Sequence, residues 1–197
     1  MTIKILISVA LGIGVGYFVL PSWVFSYTDI IIDIGLCALL FFVGIDIGKQ
    51  KDVFVKIKNM GFKILLVPLM IITGSIVGSI LGGLIFKMPM NESGAVGAGL
   101  GWYSLSPMLL SSYSNELSAL AFLSNVVREI MAVISVPIIA KKIGYIESIA
   151  PCGATGMDTL LPVVSNSTDP QTTIICFISG FICTIAVPIL VPIIIKL

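Results

Sequence analysis

Five stretches of this 197-residue sequence, at about residues 3–20, 30–47, 62–86, 117–140 and 171–195, are apolar for long enough to cross a hydrocarbon core ~30 Å thick. Nothing constrains the fold more, because lipid offers no partner to a backbone N–H or C=O, and helices of this length satisfy their own. The expected fold is all-α, a polytopic integral membrane protein with about five full transmembrane helices. Composition agrees: with 57% hydrophobic residues, 11% charged residues and a mean hydropathy of +1.14, there is too little polar surface to cover a water-soluble globule. The spans leave no room for an appended soluble module, so residues 1–197 are expected to form a single transmembrane domain that itself carries the function.

The same numbers exclude several chemistries. A net charge of +1 gives no basic face of the size nucleic-acid binding needs. The chain has no histidine, which removes a Ser-His triad and an HExxH zinc site. Its four cysteines, Cys37, Cys152, Cys176 and Cys183, lie in apolar segments without metal-ligand spacing and read as buried packing groups. No metal and no cofactor are expected, and neither is an enzyme. The run "GAGLG" lacks the lysine of a phosphate-binding loop. The first segment, "IKILISVALGIGVGYFVL", is followed by "PSWVFSY" with no cleavage site, so it is expected to be a retained span rather than a secretory signal.

Two further segments are apolar but interrupted, "GAVGAGLGWYSLSPMLLSS" at 94–112 and "IAPCGATGMDTLLPVVSNS" at 149–167. Small residues alone often serve only close packing, as expected for "GSIVGSILGG" at 74–83. These two segments differ because they combine helix breakers with side chains able to bind: Trp102, Tyr103, Ser104 and Ser106 in one, and Thr155, Asp158 and Thr159 in the other. Non-helical backbone at membrane depth survives only where protein or a watery cavity satisfies it, so a pair of broken or re-entrant helices predicts a cavity between them.

Basic residues orient the chain. Lys49, Lys51, Lys56, Lys58 and Lys63 cluster between the second and third spans, which places that loop and the N-terminus in the cytoplasm. Lys141 and Lys142 join them there only if segment 94–112 dips in and returns on one side, so re-entrant geometry is expected.

The fourth span, within "LSNVVREIMAVISVP" at 123–137, holds three polar residues. A charge at its centre costs at least about 2.5–3.5 kcal/mol, so Glu129 must be compensated or functional. Arg128 is adjacent in sequence but points about 100° away, and is expected to meet a carboxylate on another helix, Asp46 or Asp158. Asn125 shares the face of Glu129 and is expected to line the cavity with it. Asp158, just after the helix-breaking "GATGMD", is a second candidate carboxylate, and Asp46 in "FFVGIDIGKQ" a third.

"GAGLGWYSLS", "ALAFLSNVVREI" and "CGATGMDTLLP", in this order and at these separations, resemble signature blocks of the LysO-type lysine exporter family of bacteria, and the similarity runs through the whole chain. The resemblance implies a secondary transporter of the inner membrane that exports L-lysine and lysine analogues and depends on acidic residues within the membrane. Carried over by motif, these are Glu129 in "NVVREI", Asp158 in "GATGMD" and Asp46. Pro107 stands where the family usually has glycine after "GWYSLS", and Gly156 where it usually reads "GATSMD"; both alter local backbone freedom and bear on substrate preference. Full-length members of the family begin with further spans. The resemblance therefore implies a small membrane partner of about three spans, as in members divided between two genes. Besides L-lysine, this partner and membrane lipid, a further copy of the chain remains an open partner.

Exporting a cation from a cell that is negative inside is opposed by about 2.3 kcal/mol per 100 mV, and exchanging one H⁺ inward per Lys⁺ outward cancels that term. Glu129, Asp158 and Asp46 are the candidate proton carriers. Glu129, Asp158, Asn125, Trp102, Tyr103, Ser104, Ser106 and Thr155 are the candidate substrate contacts, with backbone N–H groups near Gly99 to Ser104 or Gly153 to Gly156 for the substrate's carboxylate. Two other classes stay open on the residues: a passive channel or pore subunit, and an intramembrane aspartyl protease built on Asp46 and Asp158.

Overall fold

The computed structural model describes residues 61–197 and, before them, only the isolated helical positions Leu11, Gly14, Val15, Ile34, Phe41 and Ile45. Apart from these positions, the first two expected spans, with Asp46 and Cys37, lie outside the described residues. The remainder is helical. Among the described residues three helices are long and apolar enough to cross a membrane: α1 (Leu66–Ile85), α4 (Asn115–Lys142) and α6 (Pro170–Ile194). Between them lie short pieces, α2 (Met90–Gly97), α3 (Leu105–Ser111) and α5 (Leu161–Ser167), with 3-10 turns at Glu147–Ile149 and Gly153–Met157.

Two of these long helices, α4 and α6, start where the sequence signals a start. Ser114 caps α4 by accepting from the Leu117 N–H at 3.3 Å, and Asp169 caps α6 by accepting from the Thr172 N–H at 2.7 Å with Pro170 in the first turn. Lys141 and Lys142 close the last turn of α4, where cations favour the carbonyl end.

Neither interrupted segment crosses the bundle. α2 and α3 are the arms of a hairpin that enters and leaves at the end where α1 finishes, here the distal end. Tyr113 Oη, beyond α3, donates to Glu92 Oε1 of α2 at 3.3 Å, whereas a continuous helix over the same residues would separate them by about 30 Å. Asn91 Nδ2 donates to Ile195 O at 3.2 Å, which brings the close of α6 to the same end. Since α6 ends distally, Pro170 lies proximally. Ile146, Glu147 and Ala150 surround one hollow with Leu66, Val67 and Met70 at the start of α1, so the second segment also begins proximally. It is therefore a second hairpin, inserted from the opposite end. A span followed by a hairpin occurs twice with opposite sense, α1 with the first hairpin and α4 with the second, which is the inverted arrangement of many secondary transporters.

Close packing of α1 on α2 uses serines more than glycines. Ser75 Oγ donates to Gly97 O at 2.7 Å and Ser79 Oγ donates to Ser93 O, while Gly83 lies against the Ser93 side chain. Gly74, Gly78 and Gly82 have nothing within 4 Å of a would-be Cβ among the described residues, so of the 74–83 run Ser75, Ser79 and Gly83 are the ones that meet α2. Of the three described spans α6 is the most enclosed, 39% of its apolar window being buried against 17% for α1 and 22% for α4, because both hairpins pack on it.

Candidate functional site

The hairpins meet tip to tip. Ala154 N–H donates to Leu100 O at 2.8 Å, joining two stretches of unwound backbone. Each tip turns on left-handed residues: Leu100 at φ 49° and Gly101 at φ 95° in the first, Gly153 at φ 57° in the second. Gly153 must also be small, since a Cβ there would overlap Leu100 O.

Three polar residues of α4 hold these tips. Asn125 is only 2% exposed; its Oδ1 accepts from Gly101 N–H at 2.7 Å and its Nδ2 donates to Ala121 O at 2.8 Å. It thus satisfies a donor freed by the first tip and does not line the cavity, correcting the expectation from its face of the helix. One turn further on that face, Glu129 reaches the second tip instead, where Thr159 Oγ1 donates to Glu129 Oε1 at 2.6 Å.

Arg128 points elsewhere, as the helical angle requires, but not to a carboxylate. Its Nη1 donates to Ser75 Oγ at 2.6 Å and its Nε to Pro151 O at 3.2 Å, and among the described residues it forms no ion pair with Asp158. That corrects the expected pairing with Asp158; the alternative, Asp46, lies outside the described residues. Because Ser75 donates onward to Gly97 O, one guanidinium ties the arm of the first hairpin to the second.

A cavity of about 210 Å³ opens between the tips, walled by Gly101, Trp102, Tyr103 and Ser104 on one side, by Thr155, Asp158 and Thr159 on the other, and by Thr184 of α6. Tyr103 also packs edge-on to Phe122, ring centres 6.3 Å apart, which sets the position of that wall. Thr155 Oγ1 donates to Cys152 O at 2.7 Å. Asp158 Oδ1 accepts from Thr159 N–H at 2.5 Å and lies 3.3 Å from Thr159 Oγ1. Glu129 and Asp158 therefore share one threonine at the cavity wall.

Of the sequence candidates, Trp102, Tyr103, Ser104, Thr155 and Asp158 line the cavity and Glu129 reaches it through Thr159. Ser106 does not: it is fully buried beneath the first tip beside Gly99, and its Oγ has no partner among the described residues. The sequence offers Thr159 only as a side chain able to bind in the second broken segment, and gives no site role to Thr184 or Ser75. Thr159 alone carried a signal, being next to Asp158 in a broken helix. Among the described residues no cluster of three His, Cys, Asp or Glu offers a metal site, and Cys152, Cys176 and Cys183 are free, buried thiols.

Asn125 gives a direct test of how the tip is held. Asn125→Ala leaves the Gly101 N–H buried and unpaired, so the protein is expected to lose about 1–3 kcal/mol of stability. Thermal unfolding in detergent measures the loss, and an unchanged midpoint would show that the tip is held by other contacts.

A family model described as "Lysine exporter LysO" matches residues 6–195. The chain is similar to "Lysine exporter LysO" of Escherichia coli (strain K12), 30% identical over 157 residues that make up 79% of this chain and 52% of that protein. It is also similar to "Putative lysine exporter" of Haemophilus influenzae, 26% identical over 156 residues, 79% of each chain. The chain spans about half the length of the Escherichia coli relative. No solved structure matches it.

Proposed function

We propose, from the premise that this chain belongs to the LysO lysine exporter family, that it exports L-lysine and lysine analogues from the bacterial cell by exchanging one inward proton for each outward lysine. The observation that carries this is the placement of Glu129 and Asp158 on one threonine hydroxyl, at the wall of a cavity between two inverted hairpin tips. Carboxylates are the groups that hold an ammonium or a proton by turns, and one-for-one exchange removes the electrical cost of moving Lys⁺ out. Trp102, Tyr103, Ser104 and Thr155 complete the wall against which the aliphatic chain and polar ends of the substrate lie. Asp46 is a third candidate proton carrier.

The inverted hairpins fit alternating access: withdrawal of one tip opens the cavity to its own end while the other tip still closes the opposite end. The proximal end, which holds Lys141, Lys142 and the Gly61–Leu65 turn, is assigned to the cytoplasm of the inner membrane, with the N-terminus on the same side. Residues 1–197 are taken as one transporter domain. A small membrane protein of about three spans, which the family resemblance implies, is proposed as its partner.

The test is counterflow of radiolabelled lysine into vesicles, with and without the partner and with an imposed pH gradient. Saturable uptake that rises with the gradient is expected. Flux linear in lysine and indifferent to pH would instead mark a pore subunit. Full activity of the purified chain alone would remove the partner from the proposal.

A further inference from the structure

We propose that Thr159 is a positioning residue that binds Glu129 and Asp158 into a single one-cation site, held by turns by one proton and by one ammonium group of the substrate; this rests on the exchange proposed above. A threonine hydroxyl has one hydrogen to give. Here it faces two acceptors, Glu129 Oε1 at 2.6 Å and Asp158 Oδ1 at 3.3 Å, so the two carboxylate oxygens stand within about 6 Å of each other. Two anions that close repel, and a single cation between them relieves both. A proton on either carboxyl leaves the threonine hydrogen free for the other. An ammonium, with three donors, serves both at once.

Among the described residues the surroundings leave this pair to itself. Arg128, the neighbouring cation on α4, is engaged by Ser75 and Pro151. From the first hairpin the titratable group facing both carboxylates is Tyr103. α6 brings Thr184, whose hydroxyl is turned to Gly180 O at 2.9 Å and Met157 Sδ at 3.5 Å; its thiols Cys176 and Cys183 are buried, Cys176 donating to Gly156 O. The Thr159 backbone N–H fixes Asp158, so loss of the hydroxyl alone uncouples Glu129 from the pair.

The experiment compares Thr159→Val, which keeps the shape, with Thr159→Ser, which keeps the hydroxyl, in the assembly that sustains counterflow. Protons released per lysine bound are read with an indicator dye, alongside the pH profile of counterflow. The wild-type protein is expected to release one proton per lysine. Thr159→Val is expected to release less than half of that, to bind lysine about tenfold more weakly and to show a shifted pH profile, while Thr159→Ser stays within about twofold of wild type. Thr159→Ala serves in place of valine should that variant not fold. One proton per lysine in wild type and valine variant alike, with the same pH profile, overturns the role of Thr159 and leaves the exchange intact. No proton release from wild type that nonetheless binds lysine overturns the exchange as well.

Discussion

Glu129→Gln is expected to cut lysine counterflow by at least about tenfold and to abolish its response to a pH gradient. Glutamine still accepts from the Thr159 hydroxyl, so the second tip keeps its contact with α4 and the fold should survive. What disappears is the charge. A hydrogen bond to a charged group contributes about 1.5–3 kcal/mol, which converts to roughly 10- to 100-fold in occupancy by an ammonium. The amide carries no exchangeable charge at working pH either, so proton and lysine movements come apart. Radiolabelled lysine counterflow at several imposed gradients reads both effects. Exchange that is retained and still driven by pH would take Glu129 out of the mechanism.

Gly153→Ala should be the most damaging small substitution to stability. The residue sits at φ 57°, where a side chain costs about 1–2 kcal/mol, and its Cβ would overlap the Leu100 carbonyl that Ala154 holds. Backbone on both sides leaves little room to relax, so a total loss of at least about 2 kcal/mol is expected, together with loss of export. Gly78→Ala is the matched control. Gly78 lies within α1 with nothing near its would-be Cβ among the described residues, and alanine there should gain about 0.5–1 kcal/mol. Unfolding midpoints in detergent compare the two; equal midpoints would mean that the tip contact does not hold the site together.

Hydropathy made the spans legible: the expected 62–86, 117–140 and 171–195 became Leu66–Ile85, Asn115–Lys142 and Pro170–Ile194, because apolar length in lipid leaves a chain few options. The re-entrant turn of the first interrupted segment followed from two lysines at the end of α4, and Tyr113 on Glu92 agrees with it. Partners across the bundle were another matter. Nothing in "NVVREI" says that Arg128 will find a serine of α1 and a carbonyl of the second hairpin, since those contacts span 53 and 23 residues. Asn125 shares a face with Glu129 but not a neighbour, because one helical turn separates the two tips. Ser106 is a candidate by residue type alone, and its burial depends on how α3 packs, which local sequence does not encode.

The short arms of the hairpins bear on how the protein is made. Eight residues in α2 and seven each in α3 and α5 are too few for the translocon to treat as spans, and helices so short are unstable on their own. Both hairpins lean on α6: Gly94 meets Ile194, and Gly156 accepts from Cys176. α6 follows both hairpins in chain order, so they settle only after it has inserted. A chain that ended before Pro170 would therefore reach the membrane with its earlier spans placed and its pocket unformed.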